Sequence, residues 1–151
     1  MELTMIEWLK RLNHIQEWIK KTSKTTFFKS SNDTFNAYLA AIDFKENNQT
    51  VVVVTPNLYE AQKYYDVLSQ ILDSEDVLFY PADQTLTSMM ALGSPEFKSE
   101  RLYTLKQLMT GKPFVVVTTM QGLSLRQLKP NDYLNSVKRL NKEMTYDLEK
   151  L

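Results

Sequence analysis

The sequence predicts an α/β fold: a parallel sheet with helices on both faces. Two runs, TVVVVTP and PFVVVTT, are apolar at nearly every central position. Strands that alternate between core and solvent do not look like this; strands covered on both faces do. Stretches with helical apolar spacing separate these runs. At two helix starts a capping residue precedes a proline, Thr55-Pro56 and Ser94-Pro95. Strands and helices alternating in this way define a three-layer, doubly wound arrangement.

The elements follow in order. Residues 5–21 read as one amphipathic helix capped by Thr4, with Met5, Trp8, Leu12, Ile15 and Ile19 as its apolar stripe. That stripe has two possible uses, packing on its own domain, which is the commoner, or docking on a partner. His14 falls beside the stripe, at an edge or in solvent. Residues 25–28 form a short strand, 30–34 a polar turn rich in capping residues, and 35–44 a helix with Phe35, Tyr38, Leu39 and Ile42 on one face. KENNQ ends it. TVVVVTP is a central strand, and the helix after it starts with Thr55 as cap and Pro56 in the first position. Its inner stripe is Leu58, Ala61, Tyr65, Leu68 and Leu72.

A strand at 77–80 is stopped by Pro81, and 82–93 is irregular. The next helix turns Phe97, Leu102, Leu105 and Leu108 inward and stops at Gly111. PFVVVTT is the second doubly buried strand. Residues 120–128 form a short helix or turn closed by Pro130, 137–144 an edge strand, and Thr145 the cap of a further helix. The whole is one truncated α/β domain. Its sheet core is 24–81 and 108–144, a small subdomain is inserted at 82–107, and 145–151 begins a following element. A chain that stops at the start of an element reads as a fragment of something longer. There is no internal repeat and no linker composition.

Composition narrows the chemistry. A length of 151 residues suits one domain with a core of its own. Eighteen basic residues balance eighteen acidic ones, which argues against the sequence-independent phosphate binding of a basic domain. With no cysteine there is no disulfide, thiolate nucleophile or Cys-ligated zinc, and one histidine cannot build a His-clustered metal site. No apolar run approaches the ~20 residues of a membrane helix. The N-terminus carries acidic residues and no small-residue cleavage site, so it is not a signal peptide. The expected location is cytoplasmic.

The segment KSSNDTFN lies where nucleotide-binding α/β proteins place a phosphate loop. In G-x-x-x-x-G-K-[ST], glycines let backbone amides wrap the phosphates, the lysine neutralises them and the hydroxyl holds magnesium. Here Lys29 and Thr34 stand at the glycine positions, Phe35 at the lysine and Asn36 at the hydroxyl residue. Asp33 adds a negative charge. Every change opposes triphosphate binding, so the segment reads as a capped strand-to-helix turn with no cofactor. No catalytic or metal-ligating residue is assigned. Tyr59, Tyr64 and Tyr65 near Lys63 suggest base stacking, but an aromatic sheet–helix interface fits better without a basic groove. Glu96 and Glu100, one turn apart with Lys98 and Arg101 between, read as a solvated helix face. Lys138, Arg139, Lys142 and Lys150 are mixed with acidic residues and make only a weak patch.

Three stretches in order, VVVVTPNLYEAQKYYDVLSQIL, VLFYPADQTL and SPEFKSERLYTLKQLMTGKPFVVVTTMQGLSLRQLKP, resemble the N-terminal region of bacterial transcription-repair coupling factors. The resemblance covers roughly 25–151 and rests on the ordered set, since no single motif is diagnostic. It implies a module similar to domain 1 of the excision-repair protein UvrB, a degenerate P-loop fold. The family's ATP-driven DNA translocase lies further along a far longer chain. The implied role is non-catalytic: to help recruit UvrA to stalled RNA polymerase in nucleotide excision repair and to restrain the motor domains. The implied partners are UvrA and those motor domains, with RNA polymerase and DNA reached through the parent. No contact residue is assigned, because the UvrA-contacting subdomain begins about where this chain ends. The short stretch 83–94 has no room for a DNA-clamping hairpin. Lys29, Asp33 and Phe35 replace small residues often kept in the family's loop, which strengthens the case against nucleotide binding. The competing readings are an active nucleotide hydrolase and an unrelated doubly wound interaction domain.

Overall fold

The computed structural model describes residues 4–20, 25, 27, 29, 32–82, 94–127 and 129–137. Three parallel strands, β1 (Val51–Thr55), β2 (Val77–Tyr80) and β3 (Val115–Thr119), form a sheet in the order β1-β3-β2. The helices are α1 (Met5–Leu9), α2 (Asn13–Lys20), α3 (Asp33–Asn47), α4 (Leu58–Ile71), α5 (Pro95–Leu108), α6 (Met120–Ser124) and α7 (Pro130–Ser136). A 3-10 turn at Ser74–Asp76 leads into β2.

The connections set the layers. β1 crosses to β2 through α4, and β2 returns to the central β3 through α5. A parallel crossover is right-handed almost without exception, so two crossovers running in opposite directions place their helices on opposite faces. The cores agree. Val51, Val53, Phe79, Val115 and Val117 pack with α3 and α4, whereas Leu78, Tyr80, Phe114 and Val116 pack with Leu105 and Leu108 of α5. Every residue of β3 is buried.

Hydroxyls fasten this arrangement. Thr104 on α5 is fully buried because its Oγ1 donates to the Phe79 carbonyl at 2.7 Å. Thr118 Oγ1 donates to the Tyr80 carbonyl, also at 2.7 Å. Thr119 caps α6 by accepting from the Gly122 amide at 3.1 Å, which draws α6 against the strands. A Cβ at Gly122 would lie 2.3 Å from Thr118 Oγ1 and 3.2 Å from the Tyr80 carbonyl oxygen.

Several expectations change. The single N-terminal helix is two, α1 and α2. Bonds from Arg11 N to Trp8 O and Leu12 N to Leu9 O tighten the chain into a turn between them. The turn lets Ile6 and Leu9 face the core along with Ile15, and leaves Met5 and Trp8 exposed, so the α1 stripe is displaced by one position. His14 is exposed. Lys10 pairs with Glu46 and ties α1 to α3. The strand expected at 25–28 is not one where it is described: Thr25 and Phe27 lack regular structure and Phe27 is 94% exposed, while 26 and 28 lie outside the described residues.

The valine run of β1 is not covered on both faces. β1 ends the described sheet, and Val52 and Val54 are 48% and 40% exposed. Asn57, not Thr55, caps α4, accepting from Glu60 N at 2.9 Å. Thr55 is buried instead, its hydroxyl donating toward the carbonyls of Asn57 and Thr118 at 3.0 and 3.3 Å. Leu102 faces outward, and Thr104 takes the buried place on α5. Of the irregular stretch expected at 82–93 and the edge strand expected at 137–144, only Ala82 and Val137 are described, neither in regular structure; the rest, and the element after Thr145, lie outside the described residues.

Gly122→Ala lowers stability by about 1–3 kcal/mol, because α6 or Thr118 must give way to the added methyl. A thermal melt equal to that of the parent protein contradicts the packing of α6 on Thr118.

Candidate functional site

The helix start that the phosphate-loop comparison singled out is the N-terminus of α3. Four amides at such an end have no partner within the helix and attract anions. Here the protein supplies its own acceptors. Asn32 is extended, and its Oδ1 accepts from the Phe35 amide at 3.2 Å. Asp33 opens the first turn, where its carboxylate complements the helix dipole. Lys63 of α4 donates to Asp33 Oδ2 at 2.8 Å. The hydrogen bond from Lys63 to Asp33, and then the charge of that carboxylate, raise the lysine pKa above its ordinary value.

The four positions set against the phosphate-loop pattern fall in different surroundings. Lys29 and Thr34 are exposed. Phe35 is half-buried and packs against the core shared with α4. Asn36 points to the same seam, where its Nδ2 donates to the Tyr64 hydroxyl at 3.3 Å. Two of the four therefore join α3 to α4. The nearby cation, Lys63, is committed to Asp33. Ser30 and Ser31 lie outside the described residues.

Of the aromatic group near Lys63, Tyr59 is exposed, whereas Tyr64 and Tyr65 pack at the helix–sheet interface. Tyr65 lies on Phe79 with ring centroids 5.2 Å apart. On α5, the Glu96 carboxylate accepts from the Ser94 hydroxyl at 2.5 Å, and that bond holds its pKa below the ordinary value. Glu96 thus helps start the helix. Among the described residues no three His, Cys, Asp or Glu side chains gather to hold a metal ion.

Sequence reasoning missed two features. Thr104 gave no signal, because a threonine inside a helix marks nothing until the neighbouring carbonyl is known. The second is a cleft of about 550 Å³ beside β2, bordered by Tyr65, Glu75, Glu100 and Tyr103. Its residues come from α4, the 3-10 turn, β2 and α5, and only the fold brings α4 and α5 together around it.

Fold and site define a parallel α/β domain whose α3 terminus is closed by its own side chains. No family model matches the chain, and no solved structure matches it. Curated relatives do. The chain is 30% identical over 138 residues to the transcription-repair-coupling factor of Bacillus subtilis strain 168, a match covering 91% of this chain and 11% of that protein. It is 33% identical over 85 residues to the transcription-repair-coupling factor of Staphylococcus aureus strain USA300, covering 56% of this chain and 7% of that one. The chain is thus homologous to proteins named transcription-repair-coupling factor, matching an N-terminal region of these much larger relatives. It spans about a tenth of the length of the first of these relatives, 11%.

Asn32→Ala costs about 1 kcal/mol, as loss of a helix cap does, and a denaturant titration reads it. The Lys63 pKa is raised on folding, so the pair's contribution is complete below the ordinary lysine value of 10.5 and is lost as pH climbs through the higher folded value. Lys63→Met accordingly melts below the parent protein at pH 8, and the gap narrows in melts above pH 10.5. A gap that does not narrow removes the ion pair as its cause.

Proposed function

We propose that this domain is a non-hydrolysing, UvrB-like module of a transcription-repair coupling factor, a degenerate P-loop fold that acts by shape and contact. The observation that carries the reading is the match to the Bacillus subtilis coupling factor across 91% of the chain. The α3 terminus supports it: Asn32 and Asp33 take the place where phosphate oxygens would bind, and Phe35 packs where a phosphate-loop lysine would extend. On this reading the domain is part of a cytoplasmic repair machine. It helps bring UvrA to stalled RNA polymerase and restrains the ATP-driven DNA translocase of the parent chain. RNA polymerase and DNA are engaged through that parent.

Calorimetric titration with ATP and magnesium tests the absence of a nucleotide site. No heat of binding is expected up to millimolar ATP, for the parent protein or for Phe35→Lys. That variant loses about 1–3 kcal/mol of stability through burial of a charge at a half-buried position. Micromolar ATP binding by the unaltered protein replaces this reading with that of an active hydrolase. Co-purification with UvrA, using the chain together with the segment that follows it in the family, tests the recruiting role. Its absence leaves the fold reading intact and removes the role.

A further inference from the structure

We propose that β1 is a self-pairing edge: two copies of this chain join β1 to β1, antiparallel about a two-fold axis at Val53, and make one continuous sheet. This is separate from the nucleotide question and does not rest on its answer. β1 ends the described sheet on the side away from β3. The N–H and C=O of one strand residue point to the same side, and alternate residues point to opposite sides. The Val51 amide donates to the Phe114 carbonyl at 2.9 Å, so the backbone of Val51, Val53 and Thr55 faces β3. Val52 and Val54 therefore turn their backbone groups outward, where no described residue pairs with them. Their side chains stand clear as well, 48% and 40% exposed.

The strand fits a second copy of itself. Its sequence, VVVVT, has no charge and no proline, and its register with β3 runs without a bulge, so it lacks the devices that guard a natural sheet edge. Its outward residues are also self-complementary. With the axis at Val53, Val52 lies opposite Val54 of the second copy, and Val54 lies opposite its Val52. Opposed residues of this kind in an antiparallel ladder exchange both N–H···O=C bonds. Every outward backbone group of Val52 and Val54 is then satisfied. The same opposition sets valine on valine across the join, on the face where both are exposed. A two-fold contact uses one patch twice and closes after two copies. The other end of the sheet, β2, is buried and offers no second join.

Charge and area set the strength. Eighteen basic and eighteen acidic residues leave no net charge to hold two copies apart. Val52 also borders, with Leu123 and Leu125, a cleft of about 220 Å³. Leu123 is 55% exposed, so the apolar surface continues from the strand onto α6. The strand itself has five residues. A standard interface has about 20–30 residues a side. The pairing is therefore reversible and forms at high protein concentration.

Sedimentation of the 151-residue protein from micromolar to millimolar concentration tests this. The average mass should climb from 17.7 kDa toward twice that value. Over the same range the Val52 and Val54 amides should slow in hydrogen exchange, while those of Val51 and Val53, already turned to β3, stay as they are. Val52→Lys with Val54→Lys sets like charges opposite one another in both pairs. It weakens association at least tenfold without lowering the melt of the dilute protein. Val52→Lys with Val54→Glu sets opposite charges in the same two places and restores association. A folded protein that stays monomeric to millimolar concentration overturns the proposal. So does association that survives the double lysine substitution. So does failure of the lysine–glutamate variant to regain it, since the antiparallel pairing centred on Val53 is what brings position 52 opposite position 54.

Discussion

The fold depends on keeping β3 dry. It lies between the other two strands, all five of its residues are buried, and helices reach it from both faces. A parallel strand in that place has polar backbone on two sides and side chains on the other two, and all four must be satisfied away from water. The neighbouring strands take the backbone and the two helix layers take the side chains. The threonines at its C-terminal end then stand where a strand must become a turn. Thr118 and Thr119 do not waste their hydroxyls: one secures β2 and the other starts α6. Removing side-chain bulk at Gly122 is what lets that short helix come so near.

Much of this was legible in the sequence. Unbroken apolar runs marked β1 and β3, and the spacing of Leu58, Ala61, Tyr65, Leu68 and Leu72 gave the inner stripe of α4. Ser94 before Pro95 marked the start of α5, where Ser94 Oγ accepts from the Phe97 amide. What misled was subtler. Four valines in a row say that a strand is apolar on both sides, but not how many neighbours lie on each, so the position of β1 at the end of the described sheet could not be read from it. Thr55 looks like a cap because threonine commonly is one, yet a buried threonine near an adjacent carbonyl has another use. The α1 stripe failed because helical spacing was extended through a turn that breaks the phase.

The candidate site divides in the same way. That KSSNDTFN does not fit a phosphate loop was visible in residue types alone, since Lys29, Thr34, Phe35 and Asn36 stand where that pattern has glycine, lysine and hydroxyl. What fills the gap was not. Asn32, Asp33 and Lys63 become one unit only when α3 and α4 lie side by side, thirty positions apart in the case of Asp33 and Lys63. Local rules predict a helix cap, and the fold decides which distant cation secures it. The cleft beside β2 is more dependent still on tertiary structure, because Tyr65 on α4 and Glu100 and Tyr103 on α5 lie far apart in the chain and meet only across β2.

The bare face of β1 has a consequence for handling the molecule. Val52 and Val54 present hydrocarbon to water, and the chain carries no net charge at neutral pH, with an isoelectric point near 6.6. Coulombic repulsion, which keeps most proteins apart at high concentration, is therefore nearly absent where the apolar surface is most inclined to associate. Solubility has its minimum close to physiological acidity, and moving the buffer a couple of pH units to the alkaline side restores a repulsive charge without touching the strand.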